Sequence, residues 1–315
     1  MGIAAATAGR RYADADTLLR DADTAMYHAK QLGRNRCAVF DEPMHRRMHR
    51  PLRLEVDLRQ AIETDRITSV YQPIVDVRTG AVASFEALAR WDHPDLGPIP
   101  PDEFVPIAEE TGLIVPLSQT ILCRALDLLT RLNRQPHGRH VRINVNVSRR
   151  QLIEPGFPQT LGALLDQSAV APHHVCVEVT ESLITASSDH VRTSLEAIRA
   201  LGVQVHIDDF GTGLSSLGLL RTLPVDGIKI DRSFVESADG DREAIAILQA
   251  VVTLGHHLRK VVTAEGLETA AHVAMVLALE CDLVQGFLFG RPVEAGDVAA
   301  LLTRDYSTCV RQGDA

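Results

Sequence analysis

A regular alternation of short β-branched or apolar runs with longer amphipathic stretches is the feature that most constrains how this chain can fold. The alternation begins after residue 51, and helical spacing of apolar residues fills most of the gaps, as at 117–132 and 187–201. Eight strand candidates separated mostly by helices predict an α/β fold, a (β/α)8 TIM-like barrel. The strand candidates are residues 69–75, 82–88, 141–147, 175–179, 203–207, 227–230, 261–264 and 283–287.

The first two strand candidates are too close in sequence to be joined by a helix. Between residues 75 and 82 there is room only for a turn, and Arg78, Thr79 and Gly80 provide one. Strands joined by a tight turn run antiparallel, whereas parallel strands need a longer crossover connection. We therefore expect the barrel to contain one antiparallel strand pair.

The composition excludes several classes of function. The formal net charge is −9, whereas duplex nucleic acid binding needs a clustered basic face, so we expect no duplex nucleic acid partner. No uncharged apolar run approaches the ~18–20 residues that span a membrane, and the N-terminus lacks the apolar region of a secretory signal. The five cysteines are scattered without a Cys-x-x-Cys pair, as is typical of free thiols in a reducing cytosol. The predicted location is therefore cytoplasmic.

Polar side chains of a restricted kind recur where the strand candidates end. In a (β/α)8 barrel these strand ends converge on one face, where active sites are built. A single acidic residue there could be a helix cap or a solvated loop residue, but caps have no reason to recur on nearly every strand. Most strands would thus direct oxygen-bearing groups or an ammonium into one bowl. The residues are Glu86, Asn146, Ser148, Glu178, Thr180, Glu181, Asp208, Asp209, Lys229, Asp231, Glu265 and Gln285.

This set of side chains implies a metal site. Carboxylates packed together repel one another and raise one another's pKa values unless cations neutralise them. Carboxylate and amide oxygens are hard ligands, which suit Mg²⁺ or Mn²⁺ better than zinc. Asp208 and Asp209 are adjacent at one strand end and could contribute to two ions, a recurrent arrangement for cleaving a phosphodiester bond. Lys229 could orient water or stabilise the leaving oxyanion.

Two histidines near this predicted bowl are interpreted as structural. His93 lies in the loop after Glu86, where a loop role is favoured over a substrate contact. His206 shares the side-chain direction of Asp208 on the fifth strand, but the carboxylates already supply the site, so we interpret it as a packed polar residue.

The chain resembles the EAL domain family over residues 52–305. The eponymous motif reads Glu86-Ala87-Leu88, and it is one of eight blocks that follow the family order. A lone Glu-Ala-Leu would carry no weight, whereas eight ordered blocks are highly specific. The blocks are residues 71–74, 86–90, 144–148, 178–182, 208–213, 228–231, 264–268 and 285–287.

The resemblance implies a role for each matching position. It implies that Lys229, Glu265, Gln285 and Glu86 are catalytic, with Lys229 as the catalytic lysine and Gln285 near the attacking water. Glu181 and Glu268 would anchor and support the loop 209–216. The implied metal ligands are Glu86, Asn146, Glu178 and Asp208 for the first ion and Asp209 and Glu265 for the second, and the implied substrate contacts are Gln72, Arg90 and Asp231.

The implied activity is hydrolysis of cyclic di-GMP to linear pGpG by a two-metal mechanism. The implied cofactors are two Mg²⁺ or Mn²⁺ ions, with Ca²⁺ inhibitory, and the implied assembly is a homodimer through the EAL domain. Two alternatives stay open: a catalytically weak receptor that binds cyclic di-GMP, and a protein-interaction module that no longer needs nucleotide. A receptor would be expected to have lost metal ligands or Lys229, and an interaction module Arg90 and Gln72, yet all are present.

Residues 1–42 resemble the C-terminal part of a GGDEF diguanylate cyclase domain. A helix predicted over 12–33, flanked by strand-like residues near positions 2–4 and 36–40, gives a short strand–helix–strand remnant. The Gly-Gly-Asp-Glu-Phe block is absent, so we expect no cyclase activity. We expect the chain to be a fragment or to start inside a longer reading frame, whose upstream part could carry membrane or sensor domains. The predicted domains are the GGDEF remnant (1–42), a linker (43–51), the EAL phosphodiesterase domain (52–305) and a tail (306–315).

Overall fold

A computed structural model describes residues 1–6, 12, 14–31, 33, 35–135, 138, 140–185, 189–211, 217–238 and 241–311. Within these residues eight strands close into a barrel surrounded by helices, which confirms the predicted fold. Each strand candidate forms a barrel strand at the expected place. The barrel strands are β3 (Ile67–Asp76), β4 (Val82–His93), β6 (Arg142–Asn146), β7 (Val175–Thr180), β8 (Gln204–Phe210), β9 (Gly227–Ile230), β10 (Val261–Ala264) and β11 (Leu283–Gln285).

The first barrel strand, β3, is antiparallel to the other barrel strands. The predicted hairpin is present, since β3 and β4 pair antiparallel across the turn between them. From β4 to β11 every neighbouring pair in the barrel is parallel. Closure then makes β3 antiparallel to β11 as well. A single reversed strand in a closed barrel is antiparallel to both neighbours, so there are two antiparallel pairings where the sequence predicted one.

Helices cover the outer face of the barrel and complete its core. In α4, for example, Leu122, Leu126 and Leu129 recur at helical spacing and are all buried. Across the described ranges, no helix is long and apolar enough to cross a membrane. The helices are α1 (Ala15–Gln31), α2 (Glu42–Glu63), α3 (Pro101–Thr111), α4 (Ile114–Leu132), α5 (Arg149–Ile153), α6 (Phe157–Ser168), α7 (Glu181–Thr185), α8 (Asp189–Ala200), α9 (Leu217–Thr222), α10 (Arg232–Ser237), α11 (Arg242–His257), α12 (Ala270–Ala278), α13 (Val298–Leu301) and α14 (Ser307–Arg311). The remaining strands are β1 (Gly2–Ile3), β2 (Ala38–Val39), β5 (Gly97–Ile99) and β12 (Val293–Glu294).

The interior of the barrel is polar. Successive side chains along each strand point alternately into the barrel and out towards the helices. The strand register brings the inward-pointing residues of neighbouring strands together in the interior. Barrels of this class are usually filled by Val, Ile and Leu, whereas here those residues face the helices. A polar interior has to be hydrogen-bonded or ion-paired, which points to a function for it. The buried polar residues in this layer are Gln72, Ser84, Glu86, Asn144, Glu178, His206, Asp208, Lys229, Thr263 and Gln285.

Gly227 leaves room in this interior for His206. A Cβ atom at position 227 would lie 2.8 Å from the imidazole ring of His206, closer than such contacts allow. Burial lowers the pKa of His206 to about 3, so the ring is neutral. The ring is buried, and neither of its nitrogens has a hydrogen-bond partner among the residues that the structure describes, so its interpretation as a packed polar residue stays a prediction.

The N-terminal residues form a small unit of their own. Strands β1 and β2 pair in parallel beside α1, as expected for a strand–helix–strand remnant, and Ala25 and Phe40 form a separate small apolar cluster. The segment 43–51, predicted as a linker, lies inside α2, which continues through Pro51 to the barrel. Proline usually interrupts a helix because it lacks an N–H group, yet part of this segment was expected to extend the following helix, and the structure shows that all of it does. The domain limits themselves stay a prediction.

Deleting residues 1–50 is expected to lower the melting temperature by less than about 5 °C, because the helix that remains begins at Pro51, a favourable first helical position. The residues of α2 that enter the main core, Leu54 and Leu58, are fully buried and would be kept. Thermal unfolding followed by circular dichroism measures the effect. Removing residues 1–63 is the matched control, and it should be far more damaging because each buried leucine contributes about 2–5 kcal/mol. Equal damage from both deletions would show that the N-terminal unit supports the barrel.

Candidate active site

Lys229 lies at the centre of a buried acidic cluster at the C-terminal ends of the barrel strands. Its side chain is 1% exposed, although lysine is almost never fully buried without a partner. Its ammonium group contacts four carboxylates that come from four different strands or strand ends. The Nζ atom is 3.2 Å from Glu86 Oε2, 3.1 Å from Glu178 Oε2, 3.2 Å from Asp208 Oδ1 and 2.6 Å from Glu265 Oε1.

One ammonium cannot balance four carboxylates. Burial opposes the charge on Lys229, but attraction by Asp208 and Glu178 outweighs it and raises the pKa of the lysine well above its ordinary value. Burial likewise raises the pKa of Glu178, and it raises the pKa of Glu265 to about 8. Burial also opposes ionisation of Glu86, yet Lys229 lowers its pKa and keeps it charged. The four carboxylates exceed the single charge of Lys229, so without further cations some of them hold protons, and additional cations would take the place of those protons.

The donor set fits a hard divalent cation. Carboxylate oxygens of Glu86, Glu178 and Asp208 lie within 4.8 Å of one another, close enough to share one ion. All three donors are oxygens, which Mg²⁺ and Mn²⁺ prefer. Beside them, the Oε1 atom of Gln285 is buried and has no hydrogen-bond partner within the part of the chain that the structure describes. A buried acceptor of this kind suits a water molecule held at the site.

Amide side chains orient two of the carboxylates. The Nδ2 atom of Asn146 donates to Glu86 Oε1 at 3.0 Å, and Nε2 of Gln285 donates to Glu86 Oε2 at 2.8 Å. Asn144, one inward position earlier on β6, donates from Nδ2 to Glu178 Oε1 at 2.8 Å. Asn144 belongs to one of the eight motif blocks but had no predicted role. The two-residue spacing between Asn144 and Asn146 was the signal that both side chains enter the interior.

Gln72 connects the reversed strand β3 to this cluster. Its Oε1 atom accepts a hydrogen bond from Gln285 Nε2 at 3.2 Å, and its own Nε2 donates to the carbonyl of Gly290 at 3.2 Å. Gln72 is buried and pairs in register with Glu86 across the hairpin. In this structure Gln72 therefore supports Gln285 and Glu86, and its predicted contact with substrate stays a prediction.

A kink in β8 accounts for the adjacent acidic pair at its end. Successive strand residues normally point to opposite faces. Asp209, however, has a φ of +52°, and the pairing of β8 with β9 shifts register between Ile207 and Phe210. Burial and the neighbouring carboxylates of Asp208 and Asp231 raise the pKa of Asp209 to about 6, and Asp208 itself contacts Lys229. A positive φ in a non-glycine residue is costly and is often found at functional sites.

The rim of the site is only partly described. Glu181 accepts a hydrogen bond through Oε2 from the Gly211 N–H at 2.7 Å, two residues after Asp209, so it holds the start of the predicted loop. The remaining loop residues 212–216 lie outside the described residues. Glu268 is exposed. The carboxylate of Asp231 caps α10 by accepting from the Ser233 N–H at 3.0 Å, and its predicted substrate role stays a prediction.

Arg90 borders a cavity next to the cluster. The guanidinium is half-buried, and among the described residues its one hydrogen bond is from Nη1 to the carbonyl of Ala89, at 2.8 Å. Its other donors are therefore available to a ligand. The cavity has a volume of about 390 Å³ and its walls are mainly apolar. Its lining includes Leu88, Arg90, Val105, Leu117, Asn146 and Thr180.

Most of the predicted site residues thus lie in one bowl. Glu86, Glu178, Asp208, Glu265 and Lys229 are in direct contact. Gln72, Asn146 and Gln285 form a surrounding set of amides. Arg90 lines the neighbouring cavity, and Glu181 binds the backbone two residues after Asp209. Asp231 caps α10 and Glu268 is exposed, so their predicted roles stay predictions.

Comparison with known proteins agrees with this geometry. The family model described as EAL domain matches residues 55–292. The bifunctional diguanylate cyclase/cyclic di-GMP phosphodiesterase MucR of Pseudomonas aeruginosa is 40% identical over 288 residues, which cover 90% of this chain and 41% of MucR. The cyclic di-GMP phosphodiesterase PdeR of Escherichia coli is 38% identical over 283 residues, covering 90% of this chain and 42% of PdeR.

The structural comparison leads to the same group of proteins. The solved structure of the PaMucR phosphodiesterase in complex with c-di-GMP superposes with a TM-score of 0.75 at 39% sequence identity. That superposition covers 78% of this chain and 99% of the other. The chain spans half or less of the length of the first curated relatives it matches, at 41%, 36% and 50%.

Proposed function

The chain belongs to the EAL domain family, and we propose that it is a metal-dependent phosphodiesterase that hydrolyses cyclic di-GMP to linear pGpG. The observation that carries this proposal is the buried contact of Lys229 with four carboxylates at the C-terminal face of the barrel. Such a cluster is expensive to bury and is poorly neutralised by its single lysine. The cost of burying this cluster is explained if it binds cations and a phosphodiester.

We propose that two divalent ions, Mg²⁺ or Mn²⁺, occupy this site. Glu86, Glu178 and Asp208, together with the amide oxygen of Asn146, would hold the first, and Asp209 and Glu265 the second. When bound, the ions would polarise the phosphate and lower the pKa of an attacking water. Ca²⁺ would bind without supporting hydrolysis, because its looser coordination positions water poorly.

The chain's own residues supply orientation and charge. Lys229, already desolvated, places a positive charge where the leaving oxyanion develops, and no reorganisation is needed at that moment. Gln285 has a buried free acceptor beside Glu86, so it can orient a water molecule by accepting one of its hydrogens. Asn146 and Gln285 fix the rotamer of Glu86 from two sides.

The cavity beside Arg90 supports binding of a nucleotide of this class. Its apolar walls suit a purine base, and the free donors of the Arg90 guanidinium suit a phosphate, which arginine can bind bidentately. We propose that Arg90 contacts a substrate phosphate and that Gln72 and Asp231 complete the substrate contacts, as the family resemblance implies.

We further propose a cytoplasmic location and a homodimer formed through the barrel domain. The location is supported by five cysteines that are all free thiols, as is usual in a reducing compartment. The dimer rests on the family resemblance. Sedimentation of the purified chain would test it, and a monomer at micromolar concentration would contradict it.

Incubation with cyclic di-GMP and Mg²⁺ or Mn²⁺, followed by chromatography, is expected to show conversion to pGpG. The proposal is supported by the contact of Lys229 with Glu86, Glu178, Asp208 and Glu265, and by Arg90 beside the neighbouring cavity. Glu86→Gln is the matched control for a contaminating phosphodiesterase, and it should show no conversion above background. Tight binding without conversion would indicate the receptor alternative, and absence of binding the interaction module.

A further inference from the structure

A hydrogen bond from a buried histidine joins helix α2 to the end of strand β4. The Nε2 atom of His93 lies 3.0 Å from Oδ2 of Asp57, and the His93 side chain is 3% exposed. Asp57 lies on the barrel side of α2, one turn after Leu54 on the buried face of the helix. His93 is the last residue of β4, three positions after Arg90 and seven after Glu86. The pair therefore links a helix outside the barrel to the strand that carries two predicted site residues.

The hydrogen bonds of His93 fix its tautomer. Its Nδ1 atom accepts from the backbone N–H groups of Asp95 and Leu96, at 3.1 and 3.2 Å. Because Nδ1 accepts, the ring proton of the neutral form is on Nε2, which donates to Asp57. The hydrogen bond from His93 lowers the pKa of Asp57, so the carboxylate is ionised. One ring thus holds the turn after β4 with one nitrogen and α2 with the other.

Two arginines of α2 strengthen the same attachment. Arg53 bridges Asp57, at 3.2 Å, and Asp95 in the turn after β4, at 2.7 Å. Arg50 binds Glu103 in the first turn of α3, through Nη2 at 3.0 Å and through Nε. These two pairs are partly exposed and contribute little each. The Asp57–His93 pair is the buried one, so it carries most of the coupling.

Trp91 connects the contact between α2 and β4 to Arg90. Trp91 is 1% exposed, packs against the His93 ring with centroids 5.6 Å apart, and meets Phe104 of α3 edge-on at 5.8 Å. These residues pack on the outer face of β4, while Arg90 points the other way. The guanidinium of Arg90 is bonded only to its own strand within the described part of the chain. The direction of Arg90 is therefore set by the backbone of β4, which Trp91 and His93 hold.

We propose that Asp57 and His93 are a positioning pair, through which helix α2 sets the direction in which Arg90 meets a substrate phosphate. The inference rests on the proposed function, since Arg90 is taken to bind cyclic di-GMP. It assigns α2 a role in substrate affinity although none of the α2 side chains that the structure describes contacts the acidic cluster.

Three variants separate the link from the local fold of the turn. Asp57→Ala removes the acceptor for His93. Asp57→Asn keeps an oxygen that can accept from Nε2, so it should restore most of the function lost in Asp57→Ala. In His93→Asn the amide oxygen can replace Nδ1 as the acceptor for the turn, but the shorter side chain cannot reach Asp57. Glu196→Ala is the matched control, because Glu196 is an exposed carboxylate in an i,i+4 pair with an arginine, Arg192, on another helix.

Asp57→Ala and His93→Asn are each expected to raise KM for cyclic di-GMP, and its dissociation constant in Ca²⁺, by about tenfold, because a small displacement of a binding group has a large effect. The value of kcat should change by less than about twofold, since the metal ligands are untouched. The double variant should be no worse than either single variant, because both remove the same link. Glu196→Ala should match the wild type.

Trp91 provides a readout that needs no nucleotide. It is the only tryptophan of the chain and lies between His93 and Phe104, so its fluorescence reports on this contact alone. Emission in the ligand-free protein should shift in Asp57→Ala, return towards the wild type in Asp57→Asn, and be unchanged in Glu196→Ala. An unchanged dissociation constant in Asp57→Ala would overturn the proposal, with or without a shift in emission. Failure of the wild type to bind cyclic di-GMP would instead overturn the proposed function.

Discussion

Replacing Lys229 by methionine is expected to lower kcat for cyclic di-GMP hydrolysis by about 10²–10³-fold, the usual effect of removing a preorganised group that stabilises developing charge. Methionine has a similar length and no charge, so the substitution removes the ammonium while filling most of its space. The dissociation constant for cyclic di-GMP in Ca²⁺ should change little, because Lys229 is buried among carboxylates and is not exposed to the cavity beside Arg90. Rates at saturating substrate and equilibrium binding measure the two effects separately.

The control for this experiment is Lys260→Met. Lys260 is partly buried and donates a hydrogen bond to the carbonyl of Val225. It directly precedes β10, at the end of the barrel opposite to Lys229. Its replacement should leave kcat unchanged. A loss of binding in Lys229→Met with an unchanged rate per bound complex would make Lys229 a binding residue and contradict the role proposed for it. Melting temperatures in saturating Mg²⁺ establish that both variants are folded.

The sequence predicted the barrel because hydrophobic pattern and strand spacing are local properties. Each of the eight strand candidates overlaps a barrel strand, and the short turn between β3 and β4 was enough to predict the hairpin. The second antiparallel pairing, of β3 with β11, follows only from closure of the barrel. The sequence suggested that part of the segment before Pro51 extends the next helix, but not that the helix begins as early as Glu42, because local propensity favours a break at proline.

The convergence of the acidic residues could also be predicted, because it depends on general barrel geometry. The strand ends of a barrel converge whatever the loops do, so acidic residues at those positions had to meet. What the sequence did not reveal is how they are arranged. The contact of one ammonium with four carboxylates depends on three-dimensional distances, and the kink at Asp209 depends on a register shift between β8 and β9. His93 was interpreted as a loop residue from its position after Glu86, and this was wrong, because it is the last residue of β4. Its partner, Asp57, is 36 residues away, so local sequence could not reveal the contact.

Chelation of divalent metal is expected to abolish hydrolysis completely, and Mg²⁺ or Mn²⁺, but not Ca²⁺, should restore it. The reason is electrostatic: the four carboxylates around Lys229 exceed its single charge, so without cations they are partly protonated and cannot position a water or a phosphate. The chelated protein should also melt at a lower temperature, because a ligand that binds only the folded state stabilises it in proportion to RT ln(1 + [L]/Kd).

A variant that lacks one carboxylate tests which residues form the metal site. Glu178→Gln removes a fully buried carboxyl group that has to take up a proton when no metal is bound, because burial raises its pKa. At neutral pH that protonation costs stability, so the chelated variant should melt at a higher temperature than the chelated wild type. The same variant should gain little stability from Mg²⁺, because a ligand of the first ion is lost. Glu196→Gln, an exposed carboxylate paired with Arg192, should reproduce the wild type in both states. Full hydrolysis in excess chelator, or a Glu178→Gln variant stabilised by Mg²⁺ as strongly as the wild type, would contradict the metal site at these residues. Either result would leave Lys229 as the sole cation of the cluster, and the excess of negative charge around it would then have to be balanced by protons.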